Sequence, residues 1–154
     1  LNEAVAAAVR WVDGPLRKAT DAFELQLAED LPQACGNLRQ IEQVVLNLMT
    51  NAMQALPDRS RAIRVTTCFD PAAQQLVVEV TDQGKGIRPE HLEQLTNPFF
   101  TTRRETGGTG LGLSVSSRIV KQHHGLLKFE STLGQGTKAR LTLPIAAQLS
   151  GEKP

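Results

Sequence analysis

Four carboxamides recur along one stretch of the chain: Gln43, Asn47, Asn51 and Gln54 are spaced by four, four and three residues, the interval that stacks side chains on one face of a helix. Asparagine is a poor helix former because its side chain competes for backbone hydrogen bonds, so two in mid-helix call for a reason. Carboxamide oxygens facing a cation and amides facing phosphate would supply one. A hydrated magnesium ion that already has phosphates to coordinate needs only neutral oxygens from the protein. A solvated helix face would show the same stripe. A second group is Val80-Thr81-Asp82-Gln83-Gly84-Lys85-Gly86-Ile87, where a strand ends in an acid followed by two glycines that let the backbone turn sharply and a planar ligand approach. Asp82 could serve simply as a turn residue. Its sharper role is to accept a hydrogen bond from the exocyclic amino group of adenine, where guanine would present a carbonyl and be repelled. A third group, Gly107-Gly108-Thr109-Gly110-Leu111-Gly112-Leu113, exposes backbone N–H groups ahead of a helix N-terminus, a setting that suits phosphate. Flexible linkers share that composition. Neither the Walker spacing nor the strand–turn–helix order of a dinucleotide fingerprint is present.

Residue periodicity names the elements that must hold these groups. Apolar and polar residues alternate over Phe23–Leu27, Ile63–Phe69, Leu76–Thr81, Leu127–Ser131 and Lys138–Leu143, which predicts five strands with one buried and one wet face. Ile41, Val44, Val45, Leu48, Ala52 and Leu56 recur at helical spacing, and Leu111–His124 predicts a second helix opening from the glycines. A first helix over Ala4–Lys18 is interrupted by Gly14 and Pro15, where a break is expected. The pattern is that of a two-layer α/β sandwich with helices on one face. Pro57–Arg61 and Asn97–Gly110 read as linking loops, and residues 146–154 as a flexible tail after a domain spanning 1–145.

Composition narrows the function classes. The 154 residues are one domain's worth and 40% are hydrophobic, enough for a core. Seventeen basic against sixteen acidic side chains leave a net charge of +1, without the basic field that drives nucleic-acid binding. Cys35 and Cys68 lie far apart and outside any zinc or disulfide pattern, which fits a reducing compartment. No apolar run is long enough to span a bilayer, so the piece itself is expected to be soluble. It opens on Leu1, as a fragment would. His123 and His124 fall at a helix end before Gly125, where cations suit the dipole and glycine suits the cap, and are read as structural.

Together these residues closely resemble the GHKL family of ATP-binding proteins, and within it the catalytic domain of two-component histidine kinases. Gln43–Ala52 is similar to that family's N box, Asp82–Gly86 to its first glycine box, Asn97–Arg103 to its F box and Gly108–Leu113 to its second glycine box. The resemblance runs from about Asn2 to Ile145. The Asn51–Leu56 ending and the Phe-Phe-Thr-Thr run look most like the nitrogen-regulation and dicarboxylate-sensing subgroup. It implies a mixed five-stranded sheet of the Bergerat type that binds ATP and Mg2+. In that family's terms Asn51 holds magnesium, Asn47 contacts it or the phosphates, and Asp82 binds adenine with Thr137 helping through a water. Gly84 and Gly86 give the ring room, and Ile87 follows them at the site. Thr101, Thr102 and Arg103 border a lid over the triphosphate, and Gly108, Thr109, Gly110, Leu111 and Gly112 contribute backbone donors. Arg103 is the candidate cation at the γ-phosphate, with Arg104 beside it.

The same resemblance implies partners: a dimerisation and phosphoacceptor helix pair absent from this chain, and the receiver domain of a response regulator. A monomeric fragment and a cytoplasmic setting, free or as the cytoplasmic part of a membrane-bound sensor, are expected. Relatives that hydrolyse ATP place a glutamate one helical turn before the metal-binding asparagine, and here that position is Asn47.

Overall fold

The computed structural model describes residues 1–146. Strands β1 (Phe23–Gln26), β2 (Ile63–Asp70), β3 (Gln75–Asp82), β4 (Leu126–Thr132) and β5 (Gly136–Pro144) form one sheet in the order β1-β2-β3-β5-β4. β1 runs parallel to β2, as a crossover through a helix demands, and the remaining pairs are antiparallel. The helices are α1 (Asn2–Trp11), α2 (Asp13–Ala19), α3 (Leu38–Ala55), the single turn α4 (Pro89–Leu92) and α5 (Gly112–Gln122).

Alternation decides which face each strand residue serves. Ile63, Val65, Leu76, Val78, Val80, Leu141 and Leu143 point inward and are buried against Val44, Val45, Leu48 and Met49 of α3. Truncating one of the large buried members to alanine would cost about 2–5 kcal/mol. The opposite face carries charge. Arg64 and Glu24, opposite each other in register, pair at 2.7 Å, and Arg140 and Glu79 do so at 2.9 Å. Half-exposed pairs of this kind contribute on the order of 0–1 kcal/mol each.

Three local details differ from the sequence expectations. The first helix divides at Val12, not at Gly14 and Pro15. Pro15 instead sits in the first turn of α2, where its missing N–H has no partner to lose. Its ring would collide with the Trp11 carbonyl four residues back, so helical bonding has to stop before it. α3 starts at Leu38, three residues earlier than its apolar periodicity, because the Asn37 side chain accepts from Arg39 N at 3.0 Å and Gln40 N at 3.3 Å.

The end of α5 is the third. His124, not Gly125, takes the left-handed conformation with φ 56°, and Gly125 N and His124 N return to the carbonyls of Val120 and Lys121. His123 is buried rather than exposed at the helix end. Its Nε2 accepts from Asn37 N at 3.0 Å and its Nδ1 lies 2.8 Å from the Ile119 carbonyl, so the ring joins the end of α5 to the start of α3. Gly36 lies so close to that ring that a Cβ there would strike it. Ala146, placed in the expected tail, donates to the Gln33 carbonyl at 2.8 Å, and the rest of the tail, 147–154, lies outside the described residues. No described helix is long and apolar enough to cross a membrane.

Candidate functional site

The inner rows of three neighbouring strands end side by side. At the parity of Val80, Ala139 and Phe129, the next core-facing positions are Asp82 on β3, Thr137 on β5 and Ser131 on β4. Register places Asp82 opposite Thr137 and Thr137 opposite Ser131, so the buried face of the sheet closes with a row of polar residues. Asp82 and Thr137 open into a cleft of about 290 Å³, walled mainly by Leu48, Ala52, Val80, Leu95, Leu113 and Phe129.

Asp82 is 7% exposed, and its carboxylate accepts from Gly84 N at 2.8 Å and from Thr137 N. Burial pushes its pKa up, and the two N–H donors oppose that rise without cancelling it. A carboxylate held this way keeps lone pairs for the cleft and offers a ligand nothing but acceptors. Gly86 and Ile87 line the same cleft. The glycines are also required by the protein itself. A Cβ on Gly84 would strike Asp82 Oδ1 and Ala55, and one on Gly86 would lie 2.2 Å from the Thr132 carbonyl, so their bareness lets the loop pass close to protein atoms.

A second cavity, about 270 Å³, adjoins the first and shares Asn51, Leu95, Thr102, Arg103 and Leu113 with it. Its character is polar, with Asn47, Thr50, Gln54, Thr101, Thr109 and the glycines 107, 108, 110 and 112 around it. Asn47 donates to Ser116 Oγ at 3.0 Å and to the Gly112 carbonyl at 3.2 Å, so its amide fastens α3 to the start of α5 and only its Oδ1 is left to face a ligand. Gln43, the first of the four carboxamides, lines neither cavity.

Arg103 spans the boundary between the two cavities. Its Nη2 donates to Asn51 Oδ1 at 2.8 Å and its Nη1 to Gln54 Oε1, and burial lowers its pKa from the usual arginine value. Two carboxamide oxygens thus already converge on a cation. Neutral oxygens of this kind suit magnesium when phosphates supply the remaining ligands. Among the described residues no group of three or more His, Cys, Asp or Glu could hold a metal without such help. Arg104 instead donates to the Phe99 carbonyl at 3.3 Å and lines neither cavity, which separates two adjacent arginines that the sequence leaves equivalent.

Residues 97–111 fold back on themselves. Phe99 N donates to the Gly110 carbonyl at 3.0 Å, with Phe99 in the left-handed region at φ 65°, and a 3-10 turn at Arg104–Thr106 closes the far end. Two of the expected phosphate donors are occupied within this loop, Gly108 N by the Arg103 carbonyl and Leu111 N by Thr109 Oγ1. The Leu111 side chain lines an outer groove with Phe99, Arg118 and Lys121.

Sequence reasoning missed Ser131, whose only signal was its register across the Gly134-Gln135-Gly136 hairpin. It also missed His91, which lines the apolar cleft and meets the Phe100 ring at 5.5 Å.

The family model for histidine kinase-, DNA gyrase B- and HSP90-like ATPases matches residues 36–147, and the chain belongs to that family. It is similar to sensor histidine kinase ZraS of Salmonella typhimurium, at 32% identity over 96% of this chain and 31% of that protein. It also resembles sporulation kinase E of Bacillus subtilis, at 34% identity over 80% of this chain and 16% of that one. The chain therefore spans less than a third of these curated relatives. Among solved structures, the catalytic domain of histidine kinase ThkA in a nucleotide-free form superposes with a TM-score of 0.81 and 27% identity, covering 94% of this chain and 92% of that one. Fold and family together are those of the ATP-binding domain of two-component histidine kinases.

Proposed function

We propose that this chain binds ATP with magnesium and delivers the γ-phosphoryl group to a histidine on a dimerisation helix pair, from which a response regulator's receiver domain takes it. The observation that carries this reading is the meeting, at Asn51 and Arg103, of an apolar cleft floored by Asp82 with a polar chamber lined by carboxamides and glycines. Adenine fits the cleft with its amino group toward Asp82, and Thr137 assists through a water. The triphosphate fits the chamber between Asn47, Asn51, Thr101, Thr102, Thr109 and the glycines 108, 110 and 112. Asn51, with Asn47 Oδ1, would hold the magnesium, which when bound neutralises phosphate charge and orients the γ-phosphoryl group. Arg103 then leaves its two carboxamide partners for the γ-phosphate, while Arg104 stays with the loop.

Among the described residues, no carboxylate or histidine lines the polar chamber, so nothing there deprotonates a water. That supports transfer to a nucleophile supplied by a partner over self-contained hydrolysis. Phe99 and Leu111, exposed beside Arg118 and Lys121 on the outer groove, give the helix pair an apolar surface next to the chamber. The chain alone would be a monomer with ATP bound and little turnover, working in the cytoplasm.

The test combines calorimetry with radiolabelled ATP. The chain should bind ATP, acquire no acid-labile phosphate by itself, and label the helix pair of its kinase when that is added. Rapid hydrolysis by the chain alone would favour the ATPase reading, and ATP binding with no transfer to the correct helix pair a nucleotide-binding interaction module. Absence of ATP binding would overturn the proposal altogether.

A further inference from the structure

The polar row at the end of the sheet contains one member that the nucleotide reading does not use. Ser131 Oγ lies 2.8 Å from the Gly136 carbonyl, receives Ile87 N–H at 2.8 Å, and sits 2.8 Å from Thr137 Oγ1. A serine hydroxyl has one proton and two lone pairs. A carbonyl oxygen only accepts, so the proton of Ser131 belongs to Gly136. Ile87 takes one lone pair of Ser131, and the hydrogen in the Ser131–Thr137 contact is therefore the threonine's. Every hydrogen-bonding valence of Ser131 is then filled, and Thr137 has spent its only hydroxyl proton away from the cleft.

Thr137 lines the cleft directly beside Asp82. With its proton held by Ser131, it presents lone pairs there, and the Asp82 carboxylate does the same. The floor of the cleft is an edge of acceptors, which a ligand has to meet with N–H groups or through a water that donates to the threonine. A purine with an amino group at C6 meets that demand. One with a carbonyl at C6 faces acceptor against acceptor, unless Thr137 can turn its proton inward.

We propose that Ser131 is a specificity-determining positioning residue, which sets the direction of the Thr137 hydroxyl and so makes the cleft reject 6-oxo purines in favour of 6-amino purines. The proposal rests on the reading of the cleft as a nucleotide base site. It assigns to Ser131 no contact with the nucleotide; its effect passes through Thr137 alone.

Dissociation constants of ATP and inosine triphosphate, measured by calorimetry on the whole chain, test it. Wild type should prefer ATP. Ser131→Ala frees the Thr137 proton to face the cleft, and the preference should fall about five-fold, the weight of one ordinary hydrogen bond, with much of the change in inosine triphosphate binding. Ser131→Thr, which keeps the hydroxyl on a strand, should retain the wild-type preference. In a Thr137→Val background, Ser131→Ala should leave the preference where it stands.

A Ser131→Ala protein that weakens both nucleotides by the same factor would show a structural role only and overturn the proposal. So would an equal change of preference in the Thr137→Val background. Ser131→Cys, close in size but a poor hydrogen-bond acceptor, should reproduce the alanine result if the alanine variant does not fold, and an unchanged preference in it counts against the idea. A wild-type chain that binds neither nucleotide overturns the base-site reading itself, an outcome distinct from selective ATP binding that is indifferent to residue 131.

Discussion

The floor of the apolar cleft and the walls of the polar chamber hold their chemistry in opposite ways. On the floor, Asp82, Thr137 and Ser131 are bonded to sheet backbone and to one another in strand register. Around the chamber, Arg103, Asn51, Gln54 and Gly108 hold one another across a loop whose residues are mostly exposed. Strand register cannot change without moving the core, whereas loop bonds open at little cost because few buried contacts depend on them. On the proposed reading, the base end is thus built for selection and the phosphate end for exchange of partners.

Glycine substitutions give the sharpest contrast. Gly136 has φ 124°, and a Cβ there would lie 1.9 Å from the Asp82 carbonyl oxygen, so Gly136→Ala should cost about 3 kcal/mol or more. Gly108→Ala meets the Thr101 side chain at 2.8 Å in a loop able to shift, and should cost only about 1 kcal/mol. Equal losses in urea denaturation would break the comparison. Next in size is Asp82→Ala, which on the proposed reading leaves an adenine amino group unpaired in the buried cleft. ATP affinity should drop by about 1–3 kcal/mol, with magnesium or with EDTA alike, as read by calorimetry. Asn51→Ala should separate those two conditions, weakening ATP by about 1 kcal/mol in magnesium and little in EDTA. The same loss in both would remove Asn51 from the metal site.

Arg103→Ala should change stability by less than about 1 kcal/mol, since both its partners can be rehydrated. It should nevertheless speed amide exchange over residues 99–110, and a loop equally protected in both proteins would show that Arg103 does not hold it. The smallest effect is a slope. Burial raises the Asp82 pKa above its unfolded value of 3.8, so the stability this group contributes is fully present below that value and is lost as pH rises through the folded pKa. Thermal melts from about pH 4 to pH 7 should therefore move in favour of Asp82→Asn relative to wild type, whatever the offset between the two proteins. A flat or reversed difference would mean that the N–H donors outweigh burial.

Much of this architecture was legible because it depends on period. Two-residue alternation located the five strands, and its continuation past Val80 is what carries Asp82 to the inner face. The stripe Asn47, Asn51 and Gln54 was visible on α3 for the same kind of reason, and Gln43 shows its limit, lying one turn beyond the reach of either cavity. Capping chemistry shifted the ends of α3 and α5 where apolar spacing was silent. Arg103 and Arg104 have no period to tell them apart. Their difference comes from how residues 97–111 fold back, which depends on the Phe99 and Gly110 contact. Ser131 required the register between two strands, a property of their pairing rather than of either segment.

Gly36 and His123 depend on each other through geometry. A Cβ at residue 36 would lie 2.0 Å from the imidazole Cδ2, and the ring in turn supplies the acceptor for Asn37 N. An alanine at 36 would meet both the ring and a backbone held at φ 124°, and shrinking 123 to relieve the first strips Asn37 N of its partner without touching the second. Neither change relieves the other, so glycine at 36 and histidine at 123 should be retained together as the chain diverges, although the two positions are 87 residues apart along it.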